Sequence, residues 1–235
     1  MTNTSKFRIL SGSSLKIIAI IAMLIDHIGA VILYHGYFST PSPTGVVGGS
    51  TYDIYMALRT IGRIAFPIFC FLLVQGFLHT SNKRKYAIRL FVFALISEVP
   101  FDLAIHNTLV DFNSQNVFFT LLISFLVIWL IDEFQDKIYL HIVFIGLGML
   151  LANFLHTDYS YWGVALITAF YYFNAWPLIQ TLSGALLLSW QAPSILAFIP
   201  INMYNQKRGI SMKYFFYIFY PAHLLILALI RYLIF

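Results

Sequence analysis

Long apolar runs succeed one another along the whole chain, and short polar clusters separate them. Nine runs read as helices, over residues 14–37, 53–79, 86–106, 116–134, 137–155, 160–174, 177–190, 193–204 and 212–234. A full membrane crossing takes ~20 apolar residues, and lipid leaves no partner for unpaired backbone groups, so such runs favour helix. Between 160 and 204 the pieces are shorter, because Pro177, Pro193 and Pro200 interrupt them. Short, broken or re-entrant helices are expected there. The pattern predicts an all-α, polytopic membrane bundle of about nine transmembrane helices.

Composition sharpens this picture. The 235 residues are 60% hydrophobic and only 10% charged, against about a quarter charged in soluble domains. No tail, linker or polar block stands apart, so a single domain over 1–235 is expected. Lys6 and Arg8 followed by an apolar core resemble a leader, but Asp26 and His27 interrupt that core, and a retained first helix is the better reading. Cys70, the lone cysteine, leaves no partner for a disulfide or a thiolate metal cage and reads as a small buried hydrophobe. Neither a zinc-binding H-E-x-x-H nor a phosphate-cradling Gly-rich loop occurs, and no metal is expected.

The net charge of +5 points to orientation and not to nucleic acid. Lys6, Arg8 and Lys16 precede or open the first run. Lys83, Arg84, Lys85 and Arg89 mark the second junction, Lys137 the fourth, and Lys207, Arg208 and Lys213 the eighth. The intervening loops 38–52, 107–115, 156–159 and 191–192 carry no Lys or Arg. Basic residues on alternate junctions place the N-terminus in the cytoplasm and the C-terminus outside.

Against this apolar background the ionisable residues inside the runs stand out. Each charge at the centre of a membrane helix costs roughly 2.5–3.5 kcal/mol on insertion scales, which makes it a functional candidate by default. Asp26 and His27 occupy the middle of the first run, Arg59 and Arg63 the second, Glu98 and Asp102 the third, and His223 the last. Two arginines against three carboxylates, with two adjustable histidines, nearly neutralise if these helices pack together. A structural knot of salt bridges is one reading. A general base held beside a carboxylate, His27 by Asp26, is the other. Lys16 and His27 share a helical stripe, since eleven residues bring the helix back to almost the same face about 16 Å further on. His35, His79, His106, His141 and His156 fall near run ends and read as interfacial. The dense cluster Lys83, Arg84, Lys85 and Arg89 suits either anionic lipid or the phosphates of a cytosolic donor.

Several blocks, in order, resemble the TraX family: Leu15 to Ala19 with Met23 to Gly29; Arg59 through Phe69 with Gln75-Gly76-Phe77; Ile96 to Asp102; Gln115 to Thr120; and Tyr220-Pro221-Ala222-His223. TraX of conjugative plasmids is associated with N-acetylation of pilin. The family resembles the transmembrane acyltransferases, including O-antigen O-acetylases and heparan glucosaminide N-acetyltransferase. In those enzymes a basic residue and a histidine are separated by ten residues, as Lys16 and His27 are here, although Arg is the usual basic residue. Their second helix ends in Ser-Gly-Phe where this chain has Gln75-Gly76-Phe77, and they have more spans.

The resemblance implies a multi-pass acetyltransferase of the bacterial cytoplasmic membrane. Cytosolic acetyl-CoA would be its donor and a peptide, pilin-like or glycan acceptor outside its target. Lys16, Lys83, Arg84, Lys85 and Arg89 would hold the donor, with His27 as base or transient acetyl carrier and Asp26 orienting it. Arg59 or Arg63 would steady the carbonyl oxygen, Glu98 and Asp102 would receive a cationic acceptor or simply balance the arginines, and His223 would complete the set. The alternatives are a proton-coupled transporter, which also uses intramembrane Asp, Glu, His and Arg, and a non-enzymatic membrane assembly protein.

Overall fold

The structure, a computed structural model, describes residues 7–38, 50–211 and 213–235. Lys6 and most of the 38–52 junction lie outside these residues, as do the side chains of His35 and Lys213. The described chain is helical, with only isolated β-bridges. Helix α1 (Gly12–His27) continues as a π-helix (Ile28–Phe38). Next come α2 (Ser50–Gly62), α3 (Ala65–His79) and α4 (Lys83–Phe101), the last extended by a π-helical turn (Asp102–His106). Then follow α5 (Val117–Glu133), α6 (Ile138–Phe154), α7 (Ser160–Tyr172) and α8 (Pro177–Leu187). A 3₁₀ segment (Ser189–Ala197), α9 (Phe198–Asn202) and α10 (Lys213–Ile234) complete the chain. Three stretches, Gly12–Tyr34, Ser50–His79 and Tyr214–Ile234, are long and apolar enough to cross a membrane.

Local chemistry sets the helix starts. Ser11, Asn82 and Asn116 occupy N-caps, their side chains accepting from the backbone N–H of Ser14, Lys85 and Phe118 respectively. Pro177 opens α8, where its missing N–H costs nothing. The run expected over 53–79 is broken between Gly62 and Ala65, and Pro67 explains the break. Its ring has no N–H for the carbonyl of Arg63 and crowds it, so the helix restarts and Arg63 sits at the bend. The 193–204 run is likewise 3₁₀ through Ala197 and α-helical only from Phe198, with Gln191 non-helical ahead of Pro193.

The connections sort onto two ends of the bundle. At the basic end, Gly12 and Ser13 bond the backbone of Lys207 and Arg208, Gln75 bonds Asn174, and Lys83 pairs with Asp132. At the opposite end, Gln115 bonds the backbone of His156 and Asp158. There Arg231, near the end of α10, donates to the carbonyls of Leu103 and Ala104 and to Asn107 Oδ1. Those carbonyls are the orphan acceptors of a helix end, so a buried guanidinium here is a cap. His141, expected at an interface, is instead buried. Its Nε2–H donates to the carbonyl of Phe134 and its Nδ1 accepts from Tyr172 Oη. Cys70 is fully buried in the core.

The main core joins α1, α3, α5, α7 and α10 through side chains such as Leu15, Ile68, Phe125, Phe170 and Leu224. Helix α1 packs on α2, α3 and α10, and α4 on α5 and α10. The closest approach of α1 to α2 is at Gly62, where a Cβ would lie 2.1 Å from Asp26 Cβ. Gly62→Ala should therefore push α2 away and destabilise the chain by about 1–3 kcal/mol. Thermal unfolding in detergent micelles would register this as a lowered midpoint, whereas alanine at Gly146, which faces open space, should change little.

Candidate functional site

The helix contacts bring the first and last runs together at His27 and His223. His27 Nδ1 and His223 Nε2 are 2.7 Å apart, with the rings stacked at 4.9 Å. His223 Nδ1 lies 2.7 Å from the carbonyl of Phe219. A carbonyl oxygen can only accept, so His223 Nδ1 carries the proton. With both rings neutral, His223 Nε2 then accepts from His27 Nδ1–H, and His27 Nε2 is left as a bare lone pair. Pro221 lies two residues before His223 in α10, and Tyr220 packs edge-on against His27 at 6.1 Å.

Asp26 does not orient this imidazole. It turns to Arg59, with which it forms an ion pair across α1 and α2, and its other oxygen is buried without a partner. Adjacent positions on a helix point about 100° apart, so His27 faces α10 while Asp26 faces α2. Arg63, at the bend, lies within the field of Asp26, Asp158 and Tyr159. With the amide of Gln191 turned to suit its neighbours, its oxygen accepts from Arg63 Nη1 at 3.0 Å and Nε at 3.2 Å. That contact fixes the non-helical corner of the 3₁₀ segment.

Glu98 and Asp102 separate in role. Glu98 accepts from Asn116 Nδ2, which also donates to the carbonyl of Ala94, and its second oxygen is buried and unpaired. Asp102 is buried and accepts the backbone N–H of Asp111, holding the 107–115 loop. It is a structural anchor rather than part of the histidine chamber.

Sequence reasoning passed over Asp158, Tyr159 and Gln191, which complete the polar set. The 156–160 loop is held by Thr120 Oγ1, which donates to the carbonyl of Asp158. Tyr159 and Ser160 both have positive φ, at 62° and 41°, a strained backbone of the kind that gathers at functional sites. Tyr159 stacks on Phe66. Asp158 is open to solvent, with Arg63, Arg59 and Asp26 near enough to act on its charge. Only the adjacency of Asp158 to a predicted span end was available to flag it.

A second opening lies at the basic end. A cavity of about 570 Å³ runs from Lys16, Arg89 and Arg208 past Phe69, Leu72 and Leu121 to Met23, Phe118 and Tyr220. Among the described residues no carboxylate lines it. Lys16 and Arg208 face each other as like charges, and Arg89 Nε is buried with no partner. Of the expected donor-binding cations, Lys16 and Arg89 line this cavity. Lys83, Arg84 and Lys85 do not: Lys83 is committed to Asp132 and lies over Phe77. Arg208, which the sequence did not single out for the donor, lines the cavity with Lys16 and Arg89. The cavity ends under Tyr220, whose ring touches both His27 and His223.

Long apolar helices around a buried polar chamber, with a cationic cavity beneath it, define a helical membrane protein. More particularly, the chain belongs to the TraX family, whose model, described as TraX protein, matches residues 11–231. It is also 29% identical, over 93% of its own length and 94% of the relative's, to the probable fimbrial assembly protein FimC, serogroup H1, of Dichelobacter nodosus. No solved structure matches it.

Asp158 supplies a pH test of this geometry from outside the spans. Its carboxyl is pushed up to about 6 by the surrounding protein and by Asp26, against the pull of Arg63 and Arg59. A raised carboxyl favours the fold fully below the ordinary value of 3.8, and that contribution is lost as pH rises through about 6. Asp158→Asn stays neutral and escapes the loss. Its melting midpoint relative to the parent chain should climb between those two values, and a flat difference would mean that this surrounding does not act on Asp158.

Proposed function

We propose that this protein is a multi-pass acetyltransferase of the bacterial cytoplasmic membrane, one domain with its basic end in the cytoplasm. It would move an acetyl group from acetyl-CoA to an amine or hydroxyl on a peptide, pilin-like or glycan acceptor outside. The observation that carries this reading is the acid-free cationic cavity that stops one aromatic ring short of a histidine with an available lone pair. Phosphates of the donor would meet Lys16, Arg89 and Arg208. The apolar shaft would take the pantetheine arm, which would have to cover the ~16 Å between Lys16 and His27.

Transfer then follows from the proton inventory. The acceptor enters from the side of Asp158, which is open to solvent, and presents its N–H or O–H to His27 Nε2. As the acceptor atom attacks the thioester carbonyl, Nε2 takes the proton, and the developing imidazolium stays bonded through Nδ1–H to His223. Collapse breaks the carbon–sulfur bond, and the proton passes from His27 to the departing thiolate. Arg59 or Arg63 steadies the carbonyl oxygen while it carries charge. Glu98, with one oxygen free, receives the acceptor. His223 does for His27 what Asp26 was expected to do: it fixes the tautomer.

Purified protein in nanodiscs should bind radiolabelled acetyl-CoA, and mass spectra of envelopes with and without it should differ by one acetyl group on the acceptor. His27→Ala should lose transfer by at least about 10²-fold while keeping donor binding; full activity in that variant ends the proposal. Arg89→Ala and Arg208→Ala should each raise the donor KM several-fold with kcat little changed, whereas Arg84→Ala should not. Equal effects at all three positions would count against the cavity as the donor site.

A further inference from the structure

Beside the donor shaft, at the basic end, lies a smaller cavity of about 230 Å³. The two share Gln75, His79, Tyr204 and Gln206 in their walls, so a polar lobe adjoins the apolar shaft. The lobe has no carboxylate, and Arg8 stands among its lining groups. Its apolar wall includes Phe71 and Tyr204, packed edge to face at 5.4 Å.

The amides in this lobe have a defined polarity. Gln75 Nε2 donates to Asn174 Oδ1 at 2.6 Å. That bond consumes one donor of Gln75 and an acceptor site of Asn174, leaving Gln75 Oε1 to accept and Asn174 Nδ2 to donate. Gln180 is buried with its Nε2 committed to the carbonyl of Phe170 at 2.8 Å, so its oxygen is left as a further acceptor. His79 Nδ1–H is spent on the carbonyl of Gln75 at 2.8 Å. An adjacent acceptor and donor, next to aromatic rings, suit a flat heterocycle that offers one N–H and one ring nitrogen along an edge. The amino-pyrimidine edge of adenine is such a group, and aromatic walls hold bases by stacking.

We propose that this lobe is the nucleobase subsite of the donor: the adenine lies against Phe71 and Tyr204 and pairs with the Gln75–Asn174 amides. Its phosphates turn the corner at Gln206 toward Lys16, Arg89 and Arg208. This assignment rests on the acetyl-CoA reading and adds to it the part of the donor that carries recognition. It also gives the TraX-like Gln75 a direct role, since the same residue lies on the wall between lobe and shaft.

Three donors separate the possibilities in calorimetric titrations of the full chain in nanodiscs: acetyl-CoA, its hypoxanthine analogue, and S-acetyl-4′-phosphopantetheine, which has no base. The parent chain should bind the hypoxanthine analogue about tenfold more weakly than acetyl-CoA, because the 6-oxo group meets the Gln75 oxygen in place of an N–H. Asn174→Leu should bind acetyl-CoA about tenfold more weakly and lose base discrimination, with its affinity for the baseless thioester unchanged. That last value is the control on folding. Undiminished acetyl-CoA affinity and discrimination in Asn174→Leu would overturn the subsite, as would equal weakening toward all three donors. Binding of none of the three by the parent chain would overturn the donor reading itself.

Discussion

The ion pair between Asp26 and Arg59, seated against the bare face of Gly62, fixes the architecture around it. Two charges inside an apolar bundle are costly unless they meet, and removing one would strand the other. Their meeting brings α1 and α2 to their closest approach. With Asp26 held there, the next residue on α1 has to face elsewhere, and it faces α10. The histidine pair is thus a geometric consequence of the carboxylate's commitment to arginine.

The same logic orders the rest of the polar interior. Arg63 bridges the Asp158 loop and the Gln191 corner, Asn116 ties α5 to α4 through Glu98, and Arg231 covers a helix end. Each bond replaces water that the apolar surroundings exclude, and each fixes a joint between helices that smooth packing alone would leave free to slide. Asp26 and Glu98 each keep one buried oxygen without a partner, as do Asp102 and, through its hydroxyl, Ser97. They are the natural points for an incoming group to complete.

Tyr220 divides the interior. On one side lies the cationic cavity, which no carboxylate lines among the described residues; on the other lie the two histidines. Its ring contacts Phe118 on one side and both histidines on the other. A cationic cavity and a histidine pair thus meet at a single aromatic ring.

Much of this was legible in the sequence. Apolar runs gave the order and type of the helices, because lipid-exposed backbone has few alternatives to helix, and the prolines at 177, 193 and 200 marked the short pieces. Buried charges announced themselves by residue type alone, so His27, His223, Arg59, Arg63 and Glu98 were identifiable as candidates. Their partners were not, since pairing depends on which helix faces which, and that is settled by packing. Asp26 was given to its sequence neighbour and went to Arg59. Lys83 was expected at a donor site and is paired with Asp132, while Arg208, from a distant loop, lines the cavity beside Lys16 and Arg89. Asp102, alike in sequence to Glu98 one turn earlier, was drawn into a loop anchor by the backbone of Asp111. Residue chemistry is local and could be read along the chain; the choice of partner is a property of three-dimensional neighbours, and only the tertiary structure decided it.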